Sequence, residues 1–451
     1  MKVDNQTLRD LEVLATGSHT GTLLAHLDRT RTKGGGRAWK RRLTRPFSGV
    51  EEIRDVQNAL RFMLSNRDLF EGLPTETEIE AVDRHLHSNF ATVRSTHRPF
   101  LMVESAWVRV RYPQLYRGAI AGRSALGILW RRMARVAKGL GNAPRLLSGI
   151  AEEIGSVGEP EVIGALIGYE NGRGWTAWSR ALAADRLARE GMRAPLARLL
   201  EVAHELDALR SMAEVTEELG FCLPEFREGD PRPEIEGMWH PFLEHPVPND
   251  MRFGARGRAI FLTGPNMAGK STHLKASGII VLLAHVGMGV PARSCALGLM
   301  DRLVCAVRTE DSLLRGVSYF EAEARRVRSI AEWITVDPRS MVIVDEPFRG
   351  TNTKDAADAT EAVLRAFCRS PHGCFLISSH LVEIATRIRD LPGVVLQQFE
   401  ANAEGGVLEF PYRLRDGVSE QRLGMQVLRD QGVLAALERI GRTVRSLSDG
   451  R

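Results

Sequence analysis

The chain has 451 residues, 43% of them hydrophobic and 26% charged, the balance of an ordinary globular protein with room for two or three domains. Lysine and arginine number 61 against 56 acidic residues, so the net charge of +5 selects no partner by itself. Five dispersed cysteines without CxxC spacing, no apolar core after Met1 and no apolar run near ~18 residues argue against a disulfide framework, a zinc site, a secretory signal and a membrane span; a cytoplasmic location is expected.

In chain order, residues 1–235 are predicted to be mostly helical. Apolar residues recur three and four apart over 50–65, 119–140 and 178–219, while 100–112 fits helix and strand alike. Basic charge clusters early, with Arg29, Arg31, Lys33, Arg37, Lys40, Arg41, Arg42 and Arg45 around Gly34-Gly35-Gly36. A second group, Arg123, Arg131, Arg132, Arg135 and Lys138, falls on a predicted helix. Each group is either a solvated helix face or a footprint for a phosphate backbone, and the pattern leaves both open. Residues 224–233 are polar, contain three prolines and are predicted as a linker. From 236 onward short apolar runs at 259–263, 302–307, 341–344, 374–378 and 393–399 alternate with helical patterns, the grammar of an α/β sheet.

The segment Gly264-Pro265-Asn266-Met267-Ala268-Gly269-Lys270-Ser271-Thr272 satisfies the phosphate-loop pattern. An apolar strand runs into it and a predicted helix over 270–284 runs out. Glycines let backbone N–H groups wrap a polyanion, and the helix turns its positive end towards it. Lys270 is predicted to reach the β- and γ-phosphates and Ser271 to ligate Mg²⁺. Downstream, Met341-Val342-Ile343-Val344 ends in Asp345-Glu346. The first acid suits coordination of Mg²⁺ through water, and the second suits polarising an attacking water. A third apolar strand ends in Ser378-Ser379-His380; His380 is either a surface histidine or a group that contacts the γ-phosphate or its water.

Together these motifs resemble the MutS family of DNA mismatch-repair ATPases. Thr263–Thr272 is similar to that family's Thr-Gly-Pro-Asn-Met-Gly-Gly-Lys-Ser-Thr, with Ala268 in place of one glycine. Arg349-Gly350-Thr351-Asn352-Thr353 resembles the loop after the family's acids, and Ser378-Ser379-His380 stands where the family carries Ala-Thr-His. Glu236-Gly237-Met238-Trp239-His240-Pro241 resembles the Glu-Gly-Arg-His-Pro that opens its ATPase domain. Ser318-Tyr319-Phe320-Glu321-Ala322-Glu323 resembles its Ser-Thr-Phe-x-x-Glu signature, and residues 11–43 resemble the start of its helical core. Two departures stand out: Pro347-Phe348 replaces an apolar residue and glycine, and Asn352 replaces a common serine.

The resemblance implies an α/β ABC-type P-loop ATPase domain over 236–451, with a short helical tail, preceded by a helical core or lever domain over 1–235. It implies ATP and Mg²⁺ as cofactors and Lys270, Asp345, Glu346 and His380 as the catalytic set. It further implies a homodimer in which Ser318, Phe320 and Glu323 of one copy complete the partner's ATP site. DNA, duplex or branched, is the implied partner, with Arg37, Lys40 and Arg41 as candidate contacts, alongside a repair protein whose identity is open. The family's mismatch-reading and connector domains, and an appended nuclease, are expected to be absent. Two rival classes are an ATP-switched interaction protein acting on a protein or RNA-containing assembly, and a transport-associated ATPase. The second lacks support, because no Leu-Ser-Gly-Gly-Gln-like segment occurs.

Overall fold

A computed structural model describes residues 1–14, 21–88, 92–95, 97–157, 175–255, 257–307, 319–401, 409–419, 428–429 and 432–437. The strands in chain order are β1 (Lys2–Val3), β2 (Glu225–Arg227), β3 (Glu234–Met238), β4 (Asn249–Arg252), β5 (Ala259–Thr263), β6 (Ser294–Gly298), β7 (Arg302–Ala306), β8 (Ser340–Asp345), β9 (Cys374–Ser378), β10 (Val394–Phe399) and β11 (Leu414–Asp416). The chain divides into two compact units. One gathers 1–26, 43–50 and 219–451; the other gathers 27–42 and 51–218.

The first unit is built on a seven-stranded sheet of order β1-β7-β8-β9-β5-β10-β11, parallel except for the antiparallel edge strand β11. Every residue of β5, β8 and β9 is buried, as continuous apolar runs in a parallel sheet covered on both faces must be. Phe261, Val342, Val344, Phe375 and Ile377 from these strands form one core with Ile384, Ala385 and Ile388 of the Val382–Ile388 helix and Ala357 and Leu364 of the Thr353–Phe367 helix. A second sheet, β2-β6-β3-β4, belongs to the same unit.

The division at 235 expected from sequence does not describe these units. β1 pairs in parallel with β7, Thr7 Oγ1 accepts from the Cys305 N–H at 2.9 Å, and Arg326 reaches Asp4 at 2.5 Å. The opening residues therefore belong with the sheet, tied by backbone pairing and buried polar contacts that no local pattern announces. Nor is 224–233 simply a linker. Within it β2 pairs with β6, and Phe226 is the one buried residue of an exposed–buried–exposed triplet. Its three-residue length and flanking prolines hide it from a periodicity reading.

The second unit is helical in all its regular elements among the described residues. Residues 50–65 form a helix as predicted, and 119–139 falls in a longer helix, Pro113–Gly139, with Leu140 as its C-cap. The ambiguous 100–112 is helical, Arg98–Arg111; Pro99 sits in its first turn, where the missing N–H costs nothing. Its pattern was indecisive because Phe100, Val103, Trp107 and Val110 are exposed. The helix predicted over 178–219 is three elements. Trp175–Arg186 runs into a single wide turn, Leu187–Gly191, closed by the Met192 N–H on the Leu187 carbonyl at 2.8 Å, and Arg193–Glu218 follows. Thr75 and Glu78 form a reciprocal cap on the Glu76–Leu86 helix.

The early basic cluster is largely neutralised within this unit. Arg29 pairs with Glu218, Arg31 with Glu71, Lys33 with Glu80, and Arg41 and Arg42 both with Glu205. The loop at 29–32 is anchored on buried Asp207, which accepts the N–H groups of Arg31 and Thr32, the Thr32 hydroxyl and the Arg210 guanidinium. In the second basic group Arg123 is buried and Arg132 reaches Glu78, so that helix does not present a single solvated basic face.

Candidate functional site

Register brings the three sequence motifs together. Leu262 of β5 and Asp345 of β8 both lie level with Ser378 of β9, so three adjacent parallel strands end at one edge. Ligands of open parallel sheets bind outside such carboxyl ends. The phosphate loop leaves β5, the two acids leave β8, and Ser378-Ser379-His380 leaves β9.

The loop geometry follows from its residues. Gly264 has φ +144, and a Cβ there would stand 2.9 Å from the Phe399 carbonyl oxygen; Gly269 has φ +106 and caps the Lys270–Val286 helix. Ala268 is fully buried and its φ is not positive, so the position does not require the glycine found in the family pattern. Met267 takes φ +71 and is 75% exposed beside exposed Asn266.

Lys270 is buried, and its ammonium donates to the Gly264 carbonyl at 2.7 Å and the Pro265 carbonyl at 3.1 Å, with Glu346 at 3.7 Å. Burial lowers its pKa against the opposing pull of Glu346 and Asp345. Ser271 Oγ donates to Asp345 Oδ2 at 2.5 Å, and the Ser378 hydroxyl donates to Asp345 Oδ1. Glu346 takes φ +49, and its N–H meets the Ser378 carbonyl at 3.1 Å and the Ser378 hydroxyl at 3.2 Å. Its carboxylate receives Arg349 at 2.5 Å and His380 at 3.3 Å. Burial raises the Glu346 pKa, but His380, Arg349 and Lys270 outweigh it and leave the group below its ordinary value.

Lys270, Ser271, Glu346 and Arg349 line a cleft of about 720 Å³, with Asp345 bonded to Ser271 and His380 to Glu346. Its far wall was not singled out from sequence: Val247, Asn249, Phe399 and Tyr412 join Trp239 and His240 there. Burial, and then the Lys275 cation, push the His240 pKa down to about 4. Asn249 pins the wall, donating to the Tyr412 carbonyl at 2.9 Å and accepting from the Leu414 N–H at 2.7 Å. Tyr412 has φ +55 in an irregular segment, and no sequence pattern marked it.

The donor chemistry suits Mg²⁺. Ser271 and Asp345 offer two adjacent oxygens, and a hard cation that keeps waters and takes phosphate oxygens needs few protein ligands. Among the described residues no group of three His, Cys, Asp or Glu side chains is placed to hold a metal unaided.

The remaining predicted residues divide. Ser318 lies outside the described residues. Phe320 is 37% exposed, whereas Glu323 is 7% exposed and lies near the 348–350 loop of its own chain. Arg37 and Lys40 are exposed on the Lys33–Thr44 helix, and Arg41 is held by Glu205. Among the described residues no helix is long and apolar enough to cross a membrane.

A mostly parallel sheet carrying a phosphate loop, a strand-end acid pair and a third polar strand end beside them defines a P-loop nucleotide-binding fold. Residues 260–443 match MutS domain V and residues 6–98 match MutS domain III. The DNA mismatch repair protein MutS of Granulibacter bethesdensis is 34% identical over 263 residues, 56% of this chain and 28% of that protein. Its namesake in Chlorobium phaeobacteroides is 35% identical over 239 residues, 51% of this chain and 27% of that protein. The chain belongs to the MutS family, and it spans little more than a quarter of the length of these relatives in the matched region.

Proposed function

We propose that the chain binds ATP with Mg²⁺ in the cleft at the strand ends, hydrolyses it, and uses the cycle to gate a homodimer on duplex or branched DNA. The observation that carries this reading is the meeting of Lys270, Ser271 and Glu346 in one cleft, with Asp345 bonded to Ser271 and His380 to Glu346. Ser271 and Asp345 would hold Mg²⁺, whose charge offsets that of the phosphates. The phosphate loop, from Gly264 to Thr272, cradles the phosphates, and Lys270 exchanges its carbonyl partners for β- and γ-oxygens. Glu346, kept ionised by its cationic neighbours, polarises the attacking water, and His380 steadies that carboxylate. Catalysis of this kind is mainly positioning and charge neutralisation.

In the dimer, Ser318 and Phe320 of one copy approach the other copy's nucleotide. Family membership supports the DNA partner, a role in mismatch repair or structured-DNA recognition, and a cytoplasmic location. Arg37, Lys40 and Arg41 are the proposed phosphate contacts, and the helical unit acts as the lever.

A second reading, an ATP-switched interaction protein acting on another protein or an RNA-containing assembly, is favoured by one observation: Glu205, Glu71, Glu80 and Glu218 already engage much of the early basic cluster. The experiment that separates the two is phosphate release together with binding to duplex and four-way-junction DNA over a salt series. The first reading expects turnover that Lys270→Ala abolishes and DNA affinity that falls steeply with salt. Turnover without DNA binding at low salt gives the function to the second, and no turnover removes both.

A further inference from the structure

Phe348 occupies the position where the family pattern has glycine, and it adopts φ +64, the conformation glycine takes freely. A non-glycine residue is strained in that conformation, so surrounding contacts must impose it. One is aromatic: the buried Phe348 ring lies 6.1 Å from that of Phe320, in the first turn of the Tyr319–Val336 helix. The other is polar. Glu323, less than one helical turn further on, is 7% exposed. Burial raises its pKa, while the backbone N–H groups of Gly350, Phe348 and Arg349 act in the opposite direction by stabilising the carboxylate. Its Oε2 is buried without a hydrogen-bond partner.

Burying an acid with one oxygen unsatisfied is costly, and this helix could bury an apolar residue there instead. What the acid secures is the turn at 348–350. That turn carries Arg349, whose guanidinium lies 2.5 Å from Glu346 Oε2. Helix, turn, arginine and the carboxylate at the end of β8 thus form one continuous chain of contacts.

We propose that Glu323 is a positioning residue: from the Tyr319–Val336 helix it holds the 348–350 turn, and with Phe320 it keeps Arg349 on the Glu346 carboxylate. The inference rests on the reading of Glu346 as the group that polarises water in an ATPase. It changes the part played by the helix. Phe320 stands at the surface while Glu323 is buried near the loop of its own chain, so any displacement of the helix by a second copy is passed to the displaced chain's own Glu346.

The test uses the full chain and the variants Glu323→Gln, Phe348→Gly, Arg349→Ala and Glu323→Gln with Arg349→Ala. Hydrogen–deuterium exchange is followed in peptides covering 346–352, and kcat and KM for ATP are measured alongside. Glu323→Gln is expected to speed exchange at 346–352 about tenfold. It should lower kcat about tenfold while leaving KM within about twofold. In the Arg349→Ala background it should change kcat little, because it acts through Arg349. Phe348→Gly relieves backbone strain and keeps the fold; it should shift both readouts in the same direction, and it decides the matter if Glu323→Gln does not fold. Unchanged exchange at 346–352 overturns the proposal whether or not the chain turns ATP over. Equal kcat losses in both backgrounds, or a raised KM with kcat intact, overturn it as well. Absence of phosphate release from the unaltered chain would refute the ATPase reading, while the exchange data would still decide the role of Glu323.

Discussion

Replacing Ser378 by alanine tests how Asp345 is aimed. The Ser378 hydroxyl is fully buried; it donates to Asp345 Oδ1 and accepts from the Glu346 N–H at 3.2 Å. A hydrogen bond to a charged group contributes about 1.5–3 kcal/mol net. Two features place this one at the low end. Glu346 N–H keeps the Ser378 carbonyl at 3.1 Å, so no donor is orphaned, and Asp345 keeps Ser271 on its other oxygen at 2.5 Å. The expected loss is therefore about 1.5 kcal/mol in urea unfolding without nucleotide. If a similar amount of orientation is lost at the metal position, Mg²⁺-dependent binding of a fluorescent ATP analogue weakens about tenfold. Binding measured with EDTA present should not change, since the phosphate loop is untouched. An unaltered unfolding midpoint together with an unaltered Mg²⁺ requirement would refute the reasoning.

Other substitutions probe the rest of the site and its surroundings. Lys270→Ala should abolish nucleotide binding or turnover, measured by titration and phosphate release, because its buried cation faces the loop carbonyls and both acids. Glu346→Gln should bind ATP with Mg²⁺, hydrolyse it at least about a hundredfold more slowly, and accumulate as a dimer in light scattering. Asp4 has its pKa lowered: burial alone would raise it, but Arg326 and Thr7 outweigh burial. A depressed carboxylate stabilises the fold above its ordinary value of 3.8 and loses that contribution as pH falls through the lowered value, so Asp4→Asn should destabilise at pH 7 and cease to differ from the parent in strong acid. Charge reversal at Arg37 and Lys40 should weaken binding to all DNAs alike and flatten the salt dependence in fluorescence anisotropy.

The cleft at the strand ends was legible because its parts sit on fully buried parallel strands, which must read as unbroken apolar runs, and because each run ends in polar residues. Asn352, noted as a departure, still does what a serine there can do: its side chain accepts the Asp355 N–H at 3.0 Å and caps the following helix. What was not legible depends on tertiary distance. The partners of Arg29 and Arg31 lie 189 and 40 residues along the chain, so a basic run that sequence leaves open between a solvated face and a footprint is largely an internal ion-pair set. Tyr412 and Asn249 meet across an irregular segment with no period to detect. The Phe348 substitution was visible, but its left-handed backbone and its contact with Phe320 were not.

The place of β1 has a consequence for biosynthesis. Lys2 is level with Arg302, so 300 residues separate the partners of this edge pairing. At roughly 5–20 residues per second, the ribosome makes the opening strand about 15–60 s before its neighbour exists. During that interval the helical unit, inserted between the segments of the sheet unit, is completed first and can settle through contacts of short range. The sheet is then completed with a strand and a short helix made about 300 residues earlier. A circular permutant that moves residues 1–26 to the far end would remove that wait, and it should refold faster than the parent if the late β1–β7 pairing limits the rate.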